Sequence, residues 1–248
     1  MEKIRSLKCL NALDLKLLAM VLMLCDHMWA TVIPGNHWLT VIGRMAFPIF
    51  AFQVVEGYAH THDFKKYLGR MFVFALISEI PFDLMMSDGI FFPFHQNVMF
   101  TFFEALLFLR LMDWAKKKGS TLFFVVIASV SLVLGYYIGL FTFVDYYGQG
   151  ILMVLVFYIF RDMQFGRTAI LLSMIYINCV MLSGRLMDIS LFGYSFEFPE
   201  QGMAVFALIP IWLYNGKQGP HSKAIQYGCY AFYPAHMLFL FLIRMMIL

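Results

Sequence analysis

Charge is scarce in this sequence: 13% of its 248 residues are Asp, Glu, Lys or Arg, about half the share usual in a soluble domain. With 62% hydrophobic side chains, 18% aromatic ones and a mean hydropathy of +0.77, an ordinary water-soluble fold is excluded. An excess of one sign is also missing. The formal charge is +3, which gives no support to nucleic-acid binding. The 4 cysteines are scattered at Cys9, Cys25, Cys179 and Cys229, in neither a disulfide framework nor a metal-ligand spacing. No internal repeat is visible. No small-residue cleavage site follows the first apolar run, so that run reads as a retained transmembrane helix and not a signal peptide. The 19 Met and 28 Phe read as lipid-facing and core packing.

What is present is a series of membrane-length apolar segments. A bilayer core of about 30 Å needs about 20 apolar residues per helix, and nine candidates satisfy or approach this: 13–33, 38–59, 64–85, 96–114, 120–141, 148–160, 166–183, 201–214 and 225–247. The sixth and eighth are short. The expected fold class is therefore all-α, a polytopic transmembrane helical bundle of about nine helices in a single domain over 1–248. Basic residues collect near the cytoplasmic ends of helices. Lys3, Arg5 and Lys8 precede the first segment, and Lys65, Lys66 and Arg70 follow the second. Lys116, Lys117 and Lys118 follow the fourth, Arg161 and Arg167 flank the turn after the sixth, and Lys217 and Lys223 precede the ninth. The intervening loops carry Asp83, Asp88, Asp145, Asp188, Glu197 and Glu200, with Arg185 as their one basic residue. This alternation places the N-terminus in the cytoplasm and the C-terminus outside.

The stretch from Ala12 to Ile33 places Asp26 and His27 together inside a greasy helix, where a charged residue costs about 2.5 to 3.5 kcal/mol on insertion scales. At about 1.5 Å of rise per residue, Asp26 and His27 lie about 18 to 20 Å from Asp14, beyond the midplane. Arg44 lies about 9 Å below the outer surface, Glu79 about 6 Å below Asp83, and Glu104 about 10 Å below Asn97. Four helices thus bring ionisable groups to one level in the outer half of the bilayer. Such groups turn inward and pair, and Asp26, Glu79 and Glu104 are the natural partners of Arg44. They can form a polar lock between helices, but a His beside a carboxylate and near an Arg has its protonation set by its neighbours, which marks His27 as functional.

Pro48 cannot donate to the carbonyl of Arg44, nor Pro81 to that of Ile77, so each kinks its helix near the cluster. His236, beside Pro234 midway through the last segment, reads either as packing or as a wall of the same cavity. On the cytoplasmic side Glu56, His60, His62, Asp63, Lys65, Lys66 and Arg70 form a polar knuckle. Residues two apart do not share a helix face, so His60 and His62 read as a solvated loop; the basic members could alternatively form a rim for a phosphate-bearing cosubstrate.

Several stretches together resemble the TraX family: DH at Asp26 and His27, GRMAFPIFAFQVVEGYAHTHD at Gly43 to Asp63, FALISEIPFD at Phe74 to Asp83, NVMFTFFEALL at Asn97 to Leu107, YNGKQGP at Tyr214 to Pro220 and FYPAH at Phe232 to His236. The similarity covers most of the chain, with little of it in the fifth to seventh helices. That family is named for a conjugal-transfer protein that acetylates the N-terminus of pilin, and is similar to a wider group of membrane acyltransferases that use an intramembrane His. The resemblance implies an acetyl-CoA-dependent N- or O-acetyltransferase of the bacterial cytoplasmic membrane, with acetyl-CoA as cosubstrate and no metal. Its partners would be the lipid bilayer, acetyl-CoA and an acceptor such as a pilin-like peptide or a glycan.

On this reading His27 is the base, Asp26 or Glu79 orients it, and Arg44 or Asn97 steadies the developing oxyanion. Lys65, Lys66 and Arg70, with Lys116 to Lys118, hold the phosphates of acetyl-CoA, and Asn97 lies on the donor's path. Glu104, His236 and Asp83 bind the acceptor. An acetyl-His intermediate is the variant mechanism. Two other functions use the same residues: a noncatalytic assembly factor for a surface appendage, and a proton-coupled transporter, for which the paired broken helices expected of that class are not found.

Overall fold

The structure is a computed structural model that describes residues 8–87, 89–191 and 193–247; Lys3, Arg5 and Asp88 lie outside the described residues. All nine apolar segments are helical. In chain order they are α1 (Ala12–Thr31), α2 (Trp38–Gly43) running on into α3 (Ala46–His60), α4 (Phe64–Ser87), α5 (Val98–Lys117), α6 (Thr121–Phe141) and α7 (Tyr147–Phe160). There follow α8 (Gly166–Ile175), prolonged by a π-helical turn over Tyr176–Met181, a 3-10 helix (Glu200–Ala207) leading into α9 (Leu208–Trp212), and α10 (Lys223–Ile247). Among the described residues, Trp38–His60, Thr121–Phe141 and Lys223–Ile247 are long and apolar enough to cross a membrane. The protein is a helical membrane protein.

One stretch departs from helix. Leu186–Leu191 (β1) and Tyr194–Pro199 (β2) form an antiparallel hairpin in which Leu186 faces Pro199 and Asp188 faces Glu197. The segment alternates β-favouring Phe, Tyr, Ile and Leu with Ser and acidic residues, the period-2 pattern of a strand. The hairpin occupies what the charge alternation marks as a loop.

The chain divides into two compact units, one of residues 1–53 and 171–248, the other of 54–170. Helices α3 and α8 pass from one unit to the other. In the first unit Asn11 caps α1, accepting from the backbone N–H groups of Leu13 at 2.9 Å and Asp14 at 3.1 Å, while the Asp14 carboxylate accepts from the Asn11 N–H at 2.9 Å. This reciprocal cap supplies orphan donors at the helix start with acceptors. The second helical segment breaks at Arg44 and Met45, between α2 and α3, where Pro48 withholds the hydrogen bond from the Arg44 carbonyl. Pro81, by contrast, lies inside the continuous helix α4. α1 and α2 approach very closely at Gly43, where a Cβ would stand 2.5 Å from the Asp26 Cβ.

In the second unit α6 shows how these helices pack. Its buried positions are the small residues Ala128, Ser131, Gly135 and Gly139, spaced along one face. Its large residues, Val125, Val126, Val133 and Leu134 among them, are exposed. Large apolar side chains facing outward and small ones at the helix contact are the pattern expected where lipid is the solvent. Gly148 at the start of α7 sits against the Tyr136 carbonyl with no room for a side chain. The turn between these helices, with Phe143, Tyr146 and Tyr147 in left-handed conformation, is tied down by Gln96 N–H to Phe143 O at 2.8 Å and Asp145 N–H to Gln96 O at 2.9 Å.

The two short segments have different solutions to their length. α7 is a single helix of 14 residues. The eighth begins as 8 residues of 3-10 helix before 5 of α-helix; at rises of about 2.0 and 1.5 Å, the 13 residues reach about 24 Å rather than about 20.

Candidate active site

In the first unit, Asp26 and His27 on α1 face two different partners. Thr40 of α2 donates its hydroxyl to Asp26 Oδ1 at 2.6 Å and accepts from Arg44 Nη2 at 2.6 Å. Arg44 lies 3.7 Å from Asp26 and 3.3 Å from Glu200 Oε1, and Thr40 is completely buried. The helical spacing of Thr40 and Arg44, four apart, puts both on one face of the segment. The break after Gly43 leaves the Arg44 guanidinium between two carboxylates from distant parts of the chain. Of the partners read for Arg44 in the sequence, Asp26 is in place; Glu200, assigned there to an outer loop, is its second and nearer carboxylate and is buried. A proline immediately before it, at the start of a helix that the apolar pattern places from 201, is the one local signal that Glu200 belongs to a structured segment.

The other partner belongs to His27. Its Nδ1 lies 2.7 Å from Nε2 of His236 on α10. The ring planes are within 8° of each other with centroids 5.0 Å apart, nearly the N···N distance plus the two ring radii, so the rings meet edge to edge in one plane, in-line for a hydrogen bond. His236 Nδ1 in turn lies 2.8 Å from the Phe232 carbonyl, one helical turn back. A carbonyl only accepts, so His236 Nδ1 carries a proton, and in the neutral ring its Nε2 accepts from His27 Nδ1–H. The tautomers assigned from this chain leave Nε2 as the basic nitrogen of His27. The Phe232 ring stacks on His236 at 4.7 Å. His236 is therefore more than a cavity wall: it is the hydrogen-bonding partner of His27, the role the sequence reading gave to Asp26 or Glu79.

Beside Arg44 and Glu200 opens a cavity of about 230 Å³ lined by Trp29, Arg44, Leu182, Gly184, Arg185, Glu200 and Gln201. Gln201 donates at 3.0 Å to Asn178, whose own amide donates to the Met174 carbonyl at 2.9 Å where the π turn widens the backbone ladder.

The remaining residues read as site members lie in the second unit. Glu79 Oε2 accepts from the backbone N–H of Asn97 at 3.2 Å and from its side-chain amide, while Glu79 Oε1 is buried with no partner among the described residues. Asn97 caps α5 and also donates to the Ala75 carbonyl at 2.8 Å. Asp83 accepts from the Phe92 N–H at 2.9 Å, and Glu104 from the Thr142 hydroxyl at 3.2 Å. His95, in the loop before α5, faces Asp145 at 3.4 Å; that hydrogen bond and charge raise its pKa above the ordinary histidine value against the opposing effect of burial.

On the basic knuckle, Lys66 pairs with Asp63 at 3.2 Å, and the backbone and side-chain hydrogen bonds from Lys66 lower the Asp63 pKa. Lys117 pairs with Asp113 at 2.9 Å and Lys116 with Asp162 at 3.5 Å. Lys118 lies 5.4 Å from the Trp114 ring. Lys65 is exposed, and Arg70, over the Tyr67 ring at 5.9 Å, has a buried Nε–H with no acceptor among the described residues.

Comparison with known proteins settles the lineage. The model of the TraX protein family matches residues 12–244. The chain belongs to the TraX family. A protein described as a probable fimbrial assembly protein FimC, serogroup H1, of Dichelobacter nodosus is 29% identical over 248 aligned positions, covering 92% of this chain and 93% of that protein. No solved structure matches significantly. The TraX match takes in α1, both halves of the Arg44 break and the His236 helix, so both partners of the Asp26–His27 pair lie within the family region.

Proposed function

We propose that this TraX-family protein is a multi-pass acetyltransferase of the bacterial cytoplasmic membrane that moves acetyl from cytosolic acetyl-CoA to an amine or hydroxyl acceptor at or across the membrane. The observation that carries it is the in-plane chain from the Phe232 carbonyl through His236 to His27, which directs the basic nitrogen of His27 to the opposite side of its ring. A base held in one tautomer by a neutral partner is poised for proton transfer. As the acceptor's nitrogen or oxygen attacks the thioester carbonyl, His27 Nε2 takes its proton. The C–S bond then breaks and the imidazolium returns the proton to the departing thiolate. Arg44 is the cation suited to the oxyanion that forms at the attacked carbonyl, and Thr40, Asp26 and Glu200 fix its position. His236 is a positioning residue.

Lys65 and Arg70 fit the phosphates of the donor: Arg70 has an unmet buried donor, and the exposed pairs that occupy Lys66, Lys116 and Lys117 contribute so little, roughly 0 to 1 kcal/mol, that a phosphate can displace them. Glu79, Asp83, Asn97 and Glu104 act as a structural lock of the second unit, in which the three carboxyl groups accept from Asn97, the Phe92 N–H and the Thr142 hydroxyl. The acceptor is a pilin-like peptide or a glycan, the former in keeping with the fimbrial name of the relative.

That same name favours a second reading, a noncatalytic factor in fimbrial assembly. The two are separated with purified protein in detergent or liposomes, following CoA release and labelled acetyl transfer to a panel of amines and sugars. Transfer that disappears in a folded His27→Ala variant supports the enzyme. Absence of acetyl-CoA binding to folded native protein at millimolar concentration sinks it and leaves assembly.

A further inference from the structure

We propose that the cavity bounded by Trp29, Arg44, Arg185, Glu200 and Gln201 is an oxyanion-binding site that holds a carboxylate or phosphate group of the acyl acceptor. Three ionised side chains line it, Arg44, Arg185 and Glu200. Arg44 has two carboxylates at 3.7 and 3.3 Å, whereas no carboxylate among the described residues pairs with Arg185. The polar partner of Arg185 is His37, 3.4 Å from Nη1, and its guanidinium lies 5.4 Å from the Trp29 ring centroid. Contact with the Trp29 ring and with His37 holds the guanidinium at the cavity, and its planar fork suits a carboxylate or phosphate, which it can take in two parallel hydrogen bonds.

A second donor completes the site. The indole Nε1–H of Trp29 is buried and has no acceptor among the described residues. Trp29 lines the same cavity, and a buried N–H normally finds a partner, a need that an oxyanion held by Arg185 would meet once the indole edge turns toward it. Arg185 enters from the turn before β1, where Gly184 adopts left-handed φ +55°. Gly184 also belongs to the cavity lining.

His27 is not among the residues that line the cavity. At about 100° per residue, Trp29 stands about 200° around α1 from His27 but close to the face of Asp26. The oxyanion is therefore a part of the acceptor other than the nucleophile that His27 deprotonates. Identifying the ligand as the acceptor rests on the acetyltransferase reading; the binding site itself does not.

The test is calorimetric titration of the full-length protein in detergent with inorganic phosphate and, separately, propionate, against chloride at equal ionic strength. Saturable binding of either oxyanion is expected, and which of the two binds more tightly distinguishes phosphate from carboxylate. Arg185→Gln should weaken it at least tenfold, and Trp29→Phe, which keeps the ring under the guanidinium but removes the donor, several-fold. Folding of each variant is checked by its thermal midpoint, and Trp29→Phe decides if Arg185→Gln does not fold. His27→Ala should bind the oxyanion as the native protein does, so that loss of acetyl transfer without loss of binding separates the two readings. Failure of both anions to saturate, or native-like binding by the folded variants, overturns the site.

Discussion

Three carboxylates of the second unit, Glu79, Asp83 and Glu104, find partners unlike those of Asp26 and Glu200 in the first, although Glu56 of the second unit also meets a cation, Arg161, at 3.0 Å. In the first, carboxylates meet a cation: Asp26 and Glu200 flank Arg44, with Thr40 bridging it to Asp26. In the second, Glu79, Asp83 and Glu104 meet neutral donors, the Asn97 amide, the Phe92 N–H and the Thr142 hydroxyl. A carboxyl group served by neutral donors can be kept in place without charge on either side, which suits a lock. A cation held between two anions keeps a fixed field beside the cavity that Arg44 lines, which suits holding or stabilising negative charge there. Sequence places Asp26, Arg44, Glu79 and Glu104 at one level; their partners separate them into two kinds.

The comparison breaks first at His27. His27→Ala should lower acetyl transfer by at least about a hundredfold, measured as labelled product, whereas Glu79→Gln in the second unit should leave the rate within about threefold because it keeps the acceptor that Asn97 needs. Equal losses in the two variants would undo the division. Next, Arg44→Met leaves buried Glu200 and partly exposed Asp26 without their cation and should cost about 2 to 4 kcal/mol, read as a drop in denaturation midpoint; Glu104→Gln should cost less than about 1 kcal/mol.

Gly43→Ala sharpens the geometry, since its Cβ would meet Asp26 at 2.5 Å. A loss of about 1 to 3 kcal/mol is expected, together with reduced transfer because Asp26 must move. The smallest effect belongs to His95. Its pKa is raised in the folded state by Asp145, so its contribution is fully present below the ordinary histidine value, about 6.5, and is lost as pH rises through the folded value. The thermal midpoint should therefore decline slightly from about pH 6.5 upward, and His95→Gln should flatten that slope.

Much of this was readable in one dimension because it follows from local rules. Apolar length marks the helical segments, and Pro48 marks the break at Arg44 four residues earlier. That Arg44 needs a carboxylate follows from the cost of charge in lipid, which left Asp26, Glu79 and Glu104 as its candidates; packing selects Asp26. The hairpin was hidden because its period-2 pattern lies among acidic residues that also mark an outer loop.

The sequence by itself determined which parts of this chain must be helical in a membrane and which side chains must turn inward, since backbone hydrogen bonding and the cost of charge in lipid act residue by residue. Only the tertiary structure decided who meets whom. His27 and His236 are 209 positions apart and Arg44 and Glu200 156, and each pairing depends on how α1, α2, α10 and the 3-10 helix pack. Burial fixes that an ionisable group needs a partner, but its identity follows from packing that brings distant segments within hydrogen-bond reach.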